Sequence, residues 1–302
     1  MKKIKFLKKV IITTLLLTIC LLPLGVLTSC KKDDKKIKMY NINTQTIETL
    51  SLNQYLEGVV AGEMENNSPI EALKAQAVLA RTFTLKFLEF GTSKYDGADI
   101  SNDITEAQAY NPDYINDAIK QAVKETDGQV VKNAGQLIDA YFHANSGGHT
   151  ADLKEGLNYQ DEQPSFIKST KSPETAENSN NFNWSCEISK DEILNALRNM
   201  GVTVSSINTF SCGDKGESGR CLNFIIGGKQ VNANTFRLNV GGTLLKSTLI
   251  EKIEVSTSSV KFTGKGYGHG VGMSQEGAKI LAKDGKNYKE IIDYYFNDIE
   301  IG

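Results

Sequence analysis

Glutamate 63 sits where an ordinary surface acid would not. At about 100° of helical rotation per residue, Leu52, Leu56, Val59 and Glu63 fall within roughly 60° of one another, while Glu57 and Glu65 project to the other side. A carboxylic acid held against apolar walls loses hydration of its charged form. Its pKa then rises toward the range useful for general acid catalysis near neutral pH. The competing reading is that Gly62 ends the helix and turns Glu63 to water. The chain's three histidines, His143, His149 and His269, all lie in glycine-rich contexts, YFHANSGGHT and GKGYGHGVGMSQEGA. Such segments present side chains on turns at strand ends. Glycines at 264, 266, 268, 270 and 272 strip one face of the second segment and let backbone or a ligand come close. No Lys-Ser or Lys-Thr follows them in register, so this is not a phosphate loop. His143 and His149 flank Gly147-Gly148 and could share a zinc ion with a cysteine from elsewhere, although no C-x-x-C or H-E-x-x-H spacing accompanies them. Ser146 lacks the leading glycine of a nucleophile elbow.

These groups need elements to hold them. Ser51 with Gln54 and Ser68 with Glu71 fit capping boxes, and Pro69 suits a first helical position, so helices are expected from about Leu52 and Pro69. The second, with Ala72, Ala75, Ala77 and Ala80 and with Gly91 beyond its end, reads as a central helix packed on several sides. Asn111 to Glu125 and Glu187 to Met200 read as helices, as does Asn287 to Phe296, and another begins around Ser274-Gln275. Asn133-Ala134-Gly135 between alternating segments predicts a hairpin. Val202 to Val240 predicts several strands and Ile253 to Phe262 one more. Asp152 to Asn183, polar and without period, reads as a long surface loop. Helices and strands do not alternate regularly, which gives an α+β class with helices and antiparallel sheet around the central helix and a substrate cleft.

Residues 1–29 carry a basic start and an apolar run from Val10 to Leu27, the pattern of an export signal or a membrane anchor. Leu27-Thr28-Ser29-Cys30 is similar to a lipobox, which would make Cys30 a lipid site. Either reading tethers the rest to the outer face of the cell membrane. Residues 30–38 form a charged linker, and the folded domain is expected over 39–302, with a smaller α+β subdomain at about 184–245. A net charge of −2 gives no argument for a nucleic-acid partner. Cys212 and Cys221 flank GDKGESGR and suit a local disulfide in an oxidising compartment, with free thiols as the alternative.

The ordered segments LNQYLEGVVAGEM, SPIEALKAQAVLARTF, ITEAQAY, LIDAYFHANSGGHT and GYGHGVGMSQEGAKILAKDG resemble the stage II sporulation protein D family, the SpoIID/LytB domain, over nearly all of Leu52 to Gly302. The resemblance implies a membrane-tethered lytic transglycosylase that degrades peptidoglycan glycan strands during forespore engulfment, alongside an amidase and other engulfment proteins. It implies that Glu63, in the G-E-M motif, is the catalytic acid. It also implies that Arg81, Gln108, Ser146, His269, Ser274 and Gln275 bind substrate, and that no cofactor is required. Some relatives are amidase enhancers, so a non-catalytic glycan-binding module is the alternative. The chain departs from the family at Met64-Glu65-Asn66-Asn67, where members often carry a proline soon after the glutamate.

Overall fold

A computed structural model of the chain describes residues 35–180 and 182–302. The expected export segment and Cys30 lie outside the described residues. Among the described residues no helix is long and apolar enough to cross a membrane. The fold is α+β, as the sequence predicts. It begins with strand β1 (Lys36–Asn41), which takes in residues expected in the linker because Ile37 and Met39 alternate inward and are buried. β1 pairs antiparallel with β2 (Thr46–Ser51) and, through two residues, parallel with a short β3 (Ile100–Ser101).

The main lobe is helical. Helix α1 (Leu52–Glu63) starts at the expected capping box, with the Ser51 hydroxyl accepting from Gln54 N–H and the Gln54 side chain accepting from Ser51 N–H. Helix α2 (Ile70–Phe90) starts differently. Pro69 occupies the cap itself, Ser68 Oγ is buried without a partner, and Glu71 instead meets Lys74 and the Tyr288 N–H. The expected second capping box is therefore absent. Ala72, Ala75, Ala77 and Ala80 are all fully buried. Their small side chains let α1, α3 (Asp117–Glu125) and two later helices reach α2 from different sides. The segment expected as one helix from Asn111 is a single 3-10 turn, Pro112–Tyr114, followed by α3. Leu73 and Leu79 are also fully buried, and truncating either to alanine should cost about 2–5 kcal/mol.

Strands β4 (Val131–Asn133) and β5 (Gln136–Leu137) form the expected hairpin, with Ala134 and Gly135 at φ 48° and 80° in its turn. β6 (Phe142–His143) follows, then a short helix α4 (Leu153–Leu157). The region read as a surface loop is in fact anchored: Glu155, Phe166, Ile167 and Glu174 are buried within it. Its lack of period reflects irregular backbone, not exposure.

A second hydrophobic cluster gathers β7 (Asn183–Ser189), α5 (Lys190–Asn199), β8 (Phe210–Cys212), β9 (Asn223–Ile226), β10 (Lys229–Asn232), α6 (Ala233–Val240), β11 (Ile250–Val255) and β12 (Ser259–Lys265). Two three-stranded sheets, β10-β9-β8 and β11-β12-β7, enclose Phe210, Phe224, Phe236 and Phe262, whose rings meet at centroid distances of 5.1–5.6 Å around Phe210. The cluster runs to Phe262, past the expected boundary at 245, because β12 supplies its central strand. Residues 253–262 are thus a two-strand hairpin and not one strand. Cys212 and Cys221 are joined as a disulfide, and Cys186 is free and half-buried, its thiol pushed up to about 11 by burial. The chain then returns to the helical lobe through β13 (Met273–Ser274), which pairs with β6, then α7 (Gln275–Lys283), α8 (Tyr288–Tyr295) and β14 (Glu300–Ile301).

Candidate active site

Glu63 is the last residue of α1. Leu56 and Val59 of its stripe are fully buried, and Glu63 lies where that stripe opens into a cleft, half-buried and otherwise enclosed by protein. Two glycines set its surroundings. A Cβ on Gly58 would stand 2.1 Å from the Tyr110 ring, and one on Gly62 would stand 2.7 Å from the backbone of Ala109 and Tyr110. Only glycine admits this close approach. It brings the Ala109 N–H to donate to Glu63 Oε1 at 2.7 Å. The other oxygen, Oε2, accepts from Gln275 Nε2 at 3.3 Å, a long bond, and Gln275 also contacts Gln76 Oε1 at 3.4 Å. Burial raises the Glu63 carboxyl above its ordinary value, and the bonds from Ala109 and Gln275 pull it only part of the way back.

The cleft has a volume of about 480 Å³, and Glu63 is the only acidic residue in its lining among the described residues. Gln108, Tyr141, His143, Tyr267, His269 and Gln275 share the lining. Its far wall is the glycine-rich segment, which runs into β13 beside β6, with Ser274 opposite His143. Gly272, at φ 73°, has the Tyr141 carbonyl oxygen 2.1 Å from where a Cβ would lie, so the two segments can adjoin only there as glycine. Val271 is held between two imidazoles: His143 Nδ1–H donates to its carbonyl and its N–H donates to His269 Nδ1, each at 3.0 Å. These bonds fix the tautomers. His143 is left with Nε2 as an acceptor, and His269 with Nε2–H as a donor, for which the Phe142 backbone is a partner. Burial lowers both rings, His143 well below the ordinary range and His269 to about 4. Both are neutral at pH 7. Burial pushes the Tyr141 hydroxyl up to about 12.

The residues expected to bind substrate separate into two groups. Gln108, His269 and Gln275 line the cleft with Glu63. Arg81 does not: its buried guanidinium donates to the carbonyls of Val123, Thr126 and Gln129, holding the C-terminal end of α3 against α2. Ser146 and Ser274 lie behind the wall. Both hydroxyls donate to Glu174 Oε1, at 2.5 and 2.6 Å, while Ser172 donates to Oε2. That buried carboxylate thereby ties the HANSGG turn to the start of α7. His149 turns away to donate from Nδ1 to the Thr150 carbonyl, and the ring beside His143 is that of His269, at 5.6 Å. Among the described residues no three His, Cys, Asp or Glu side chains could hold a metal ion together. The donors around His143 and His149 therefore do not fit zinc. Sequence reasoning missed Tyr141 and Tyr267, and it missed His143 as a cleft residue. The signal was available for His143, since it directly ends the alternating segment that becomes β6.

The chain is similar to known proteins over most of its length. The stage II sporulation protein family matches residues 40–132, which include Glu63 and Gln108, and a domain of unknown function matches residues 136–272, which include the histidine wall. An uncharacterized protein of Brachyspira hyodysenteriae is 31% identical over 265 residues, covering 87% of this chain and 69% of that protein. The stage II sporulation protein D of Bacillus amyloliquefaciens is 27% identical over 290 residues, covering 92% and 81%. An amidase enhancer of Bacillus subtilis is 28% identical over 295 residues, covering 80% of this chain and 39% of the enhancer. On these matches the chain belongs to the stage II sporulation protein D family.

Proposed function

We propose that the chain is a peptidoglycan lytic transglycosylase with Glu63 as its single general acid and base. The observation that carries the reading is a carboxyl of raised pKa in a cleft whose lining, among the described residues, holds no second acid. Glycoside hydrolysis ordinarily uses two carboxyl groups, one of them to activate water or attack the sugar. A transglycosylase needs one. Protonated Glu63 donates to the oxygen between N-acetylmuramic acid and N-acetylglucosamine, and that bond breaks as positive charge develops at the muramic anomeric carbon. The muramic 6-hydroxyl then bonds to that carbon and returns its proton to Glu63, giving a 1,6-anhydro end without entry of water. Oε1 is occupied by the short bond from Ala109, so Oε2, with its longer contact to Gln275, is the oxygen placed to exchange the proton. Neutral His143 and His269 leave the opposite wall uncharged beside the developing cation, where an imidazolium would repel it. None of these steps calls on a cofactor.

On this reading the protein works outside the cytoplasmic membrane, tethered by a membrane anchor in residues 1–29 or by a lipid on Cys30, on glycan strands in sporulation-associated wall remodelling. The amidase-enhancer relative supports an amidase as companion. The same relative favours a second reading, in which the cleft holds glycan without cleaving it. Digestion of peptide-free glycan strands followed by mass spectrometry distinguishes the outcomes. Anhydro-muramic ends support the transglycosylase, new reducing ends indicate hydrolysis, and intact strands that co-sediment with the protein leave the binding module.

A further inference from the structure

A second depression continues the cleft along the surface. It holds about 270 Å³ and is lined by Phe83, Lys86, Phe87, Phe90, Ile138 and Asp139, with Gly91 at its end. Both of its walls run into the cleft. On the helix side Phe83 lines the two depressions alike, and on the strand side Ile138 and Asp139 lead directly into Ala140, Tyr141 and Phe142 of the cleft. The helix side is an aromatic stripe. Phe83, Phe87 and Phe90 recur at i, i+4 and i+7 on α2 and so share one face, over a length of roughly 10 Å. Phe83 and Phe87 stack at a centroid distance of 6.2 Å, and Phe90 is 68% exposed, at a helix end where burial would have been the cheaper arrangement.

We propose that this stripe is a saccharide platform that carries the glycan strand out of the cleft, a reading that rests on the cleft being a glycan site. Pyranose rings have apolar C–H faces that stack on aromatic rings, and hydroxyl edges that need polar partners. The depression offers both, since the Lys86–Asp139 ion pair, at 2.8 Å and part-exposed on both sides, lines it together with the rings. That pair also argues against an apolar protein partner or a lipid surface as occupant. Sealing it under apolar atoms would strip both charges of water, whereas a hydroxyl-bearing strand leaves them hydrated. Length selectivity follows: the cleft holds the scissile bond and its neighbours, and only a longer strand reaches Phe87 and Phe90.

The test measures binding of the full chain carrying Glu63→Gln, so that cleavage does not interfere, to a peptide-free tetrasaccharide and to long peptide-free strands. Adding Phe87→Ala and Phe90→Ala should lower affinity for long strands about tenfold and leave the tetrasaccharide unchanged, and Phe90→Tyr, which keeps the ring, should restore most of its share. Unchanged strand affinity in the double variant overturns the proposal. So does equal loss for both probes, and so does loss of binding to anionic lipid vesicles without loss of strand binding. If the parent protein binds both probes equally the platform alone fails, and if it binds neither the cleft reading fails with it.

Discussion

Glu63 and Glu174 are both withdrawn from bulk water, and they are held in opposite ways. Glu174 is almost wholly buried and accepts from the Ser146 N–H and from the hydroxyls of Ser146, Ser172 and Ser274. Every donor around it comes from a segment that must stay in place. Glu63 has one short bond and one long one, and part of its surface faces open cleft. A saturated carboxylate is a fastener. An undersupplied one keeps its proton to higher pH and can part with it when a leaving oxygen arrives. The two are linked, since Glu174 pins Ser274 and the next residue, Gln275, touches Glu63.

That contrast can be broken at several points. The largest effect is expected from Glu63→Gln, which should lower turnover of glycan strands by roughly 10²–10⁴-fold with little change in folding. Glu174→Ala should do the reverse: it removes the acceptor of the Ser146 and Ser274 hydroxyls and should cost about 3 kcal/mol in chemical denaturation, with turnover per folded molecule falling far less than for Glu63→Gln, and only through the link from Ser274 to Gln275. Gln275→Ala should reduce turnover about tenfold and move the alkaline limb of the pH–rate profile upward, because the bond it removes lowers the Glu63 pKa. The smallest effect is on stability. A carboxyl whose folded pKa lies above its unfolded one favours the fold fully at pH below the unfolded value, and that contribution is lost as pH rises through the folded value. Melting curves of the wild type should therefore lose stability over that interval relative to Glu63→Gln.

How much of this was legible depended on distance along the chain. The Ser51 capping box, the Asn133-Ala134-Gly135 turn and the position of Glu63 on its stripe are local patterns, and each is present as the residues imply. The Ser68–Glu71 box fit the same rule and did not form, because Lys74 and the distant Tyr288 N–H compete for Glu71. Arg81 and Ser146 carried the right side chains for sugar contacts. Their partners, 42 to 48 residues away for Arg81 and 28 for Ser146, claim those groups for the frame. Nothing in a local window reveals such pairings, nor that Asp152 to Asn183 hides a buried carboxylate in a polar run.

The central claim is that one carboxyl, without a second, cleaves the glycan. It is tested most directly by incubating wild type and Glu63→Gln with peptide-free glycan strands and counting anhydro-muramic ends by mass spectrometry. The account predicts such ends from the wild type and almost none from Glu63→Gln, with strand binding retained by both. Anhydro ends produced equally by the two proteins would contradict it.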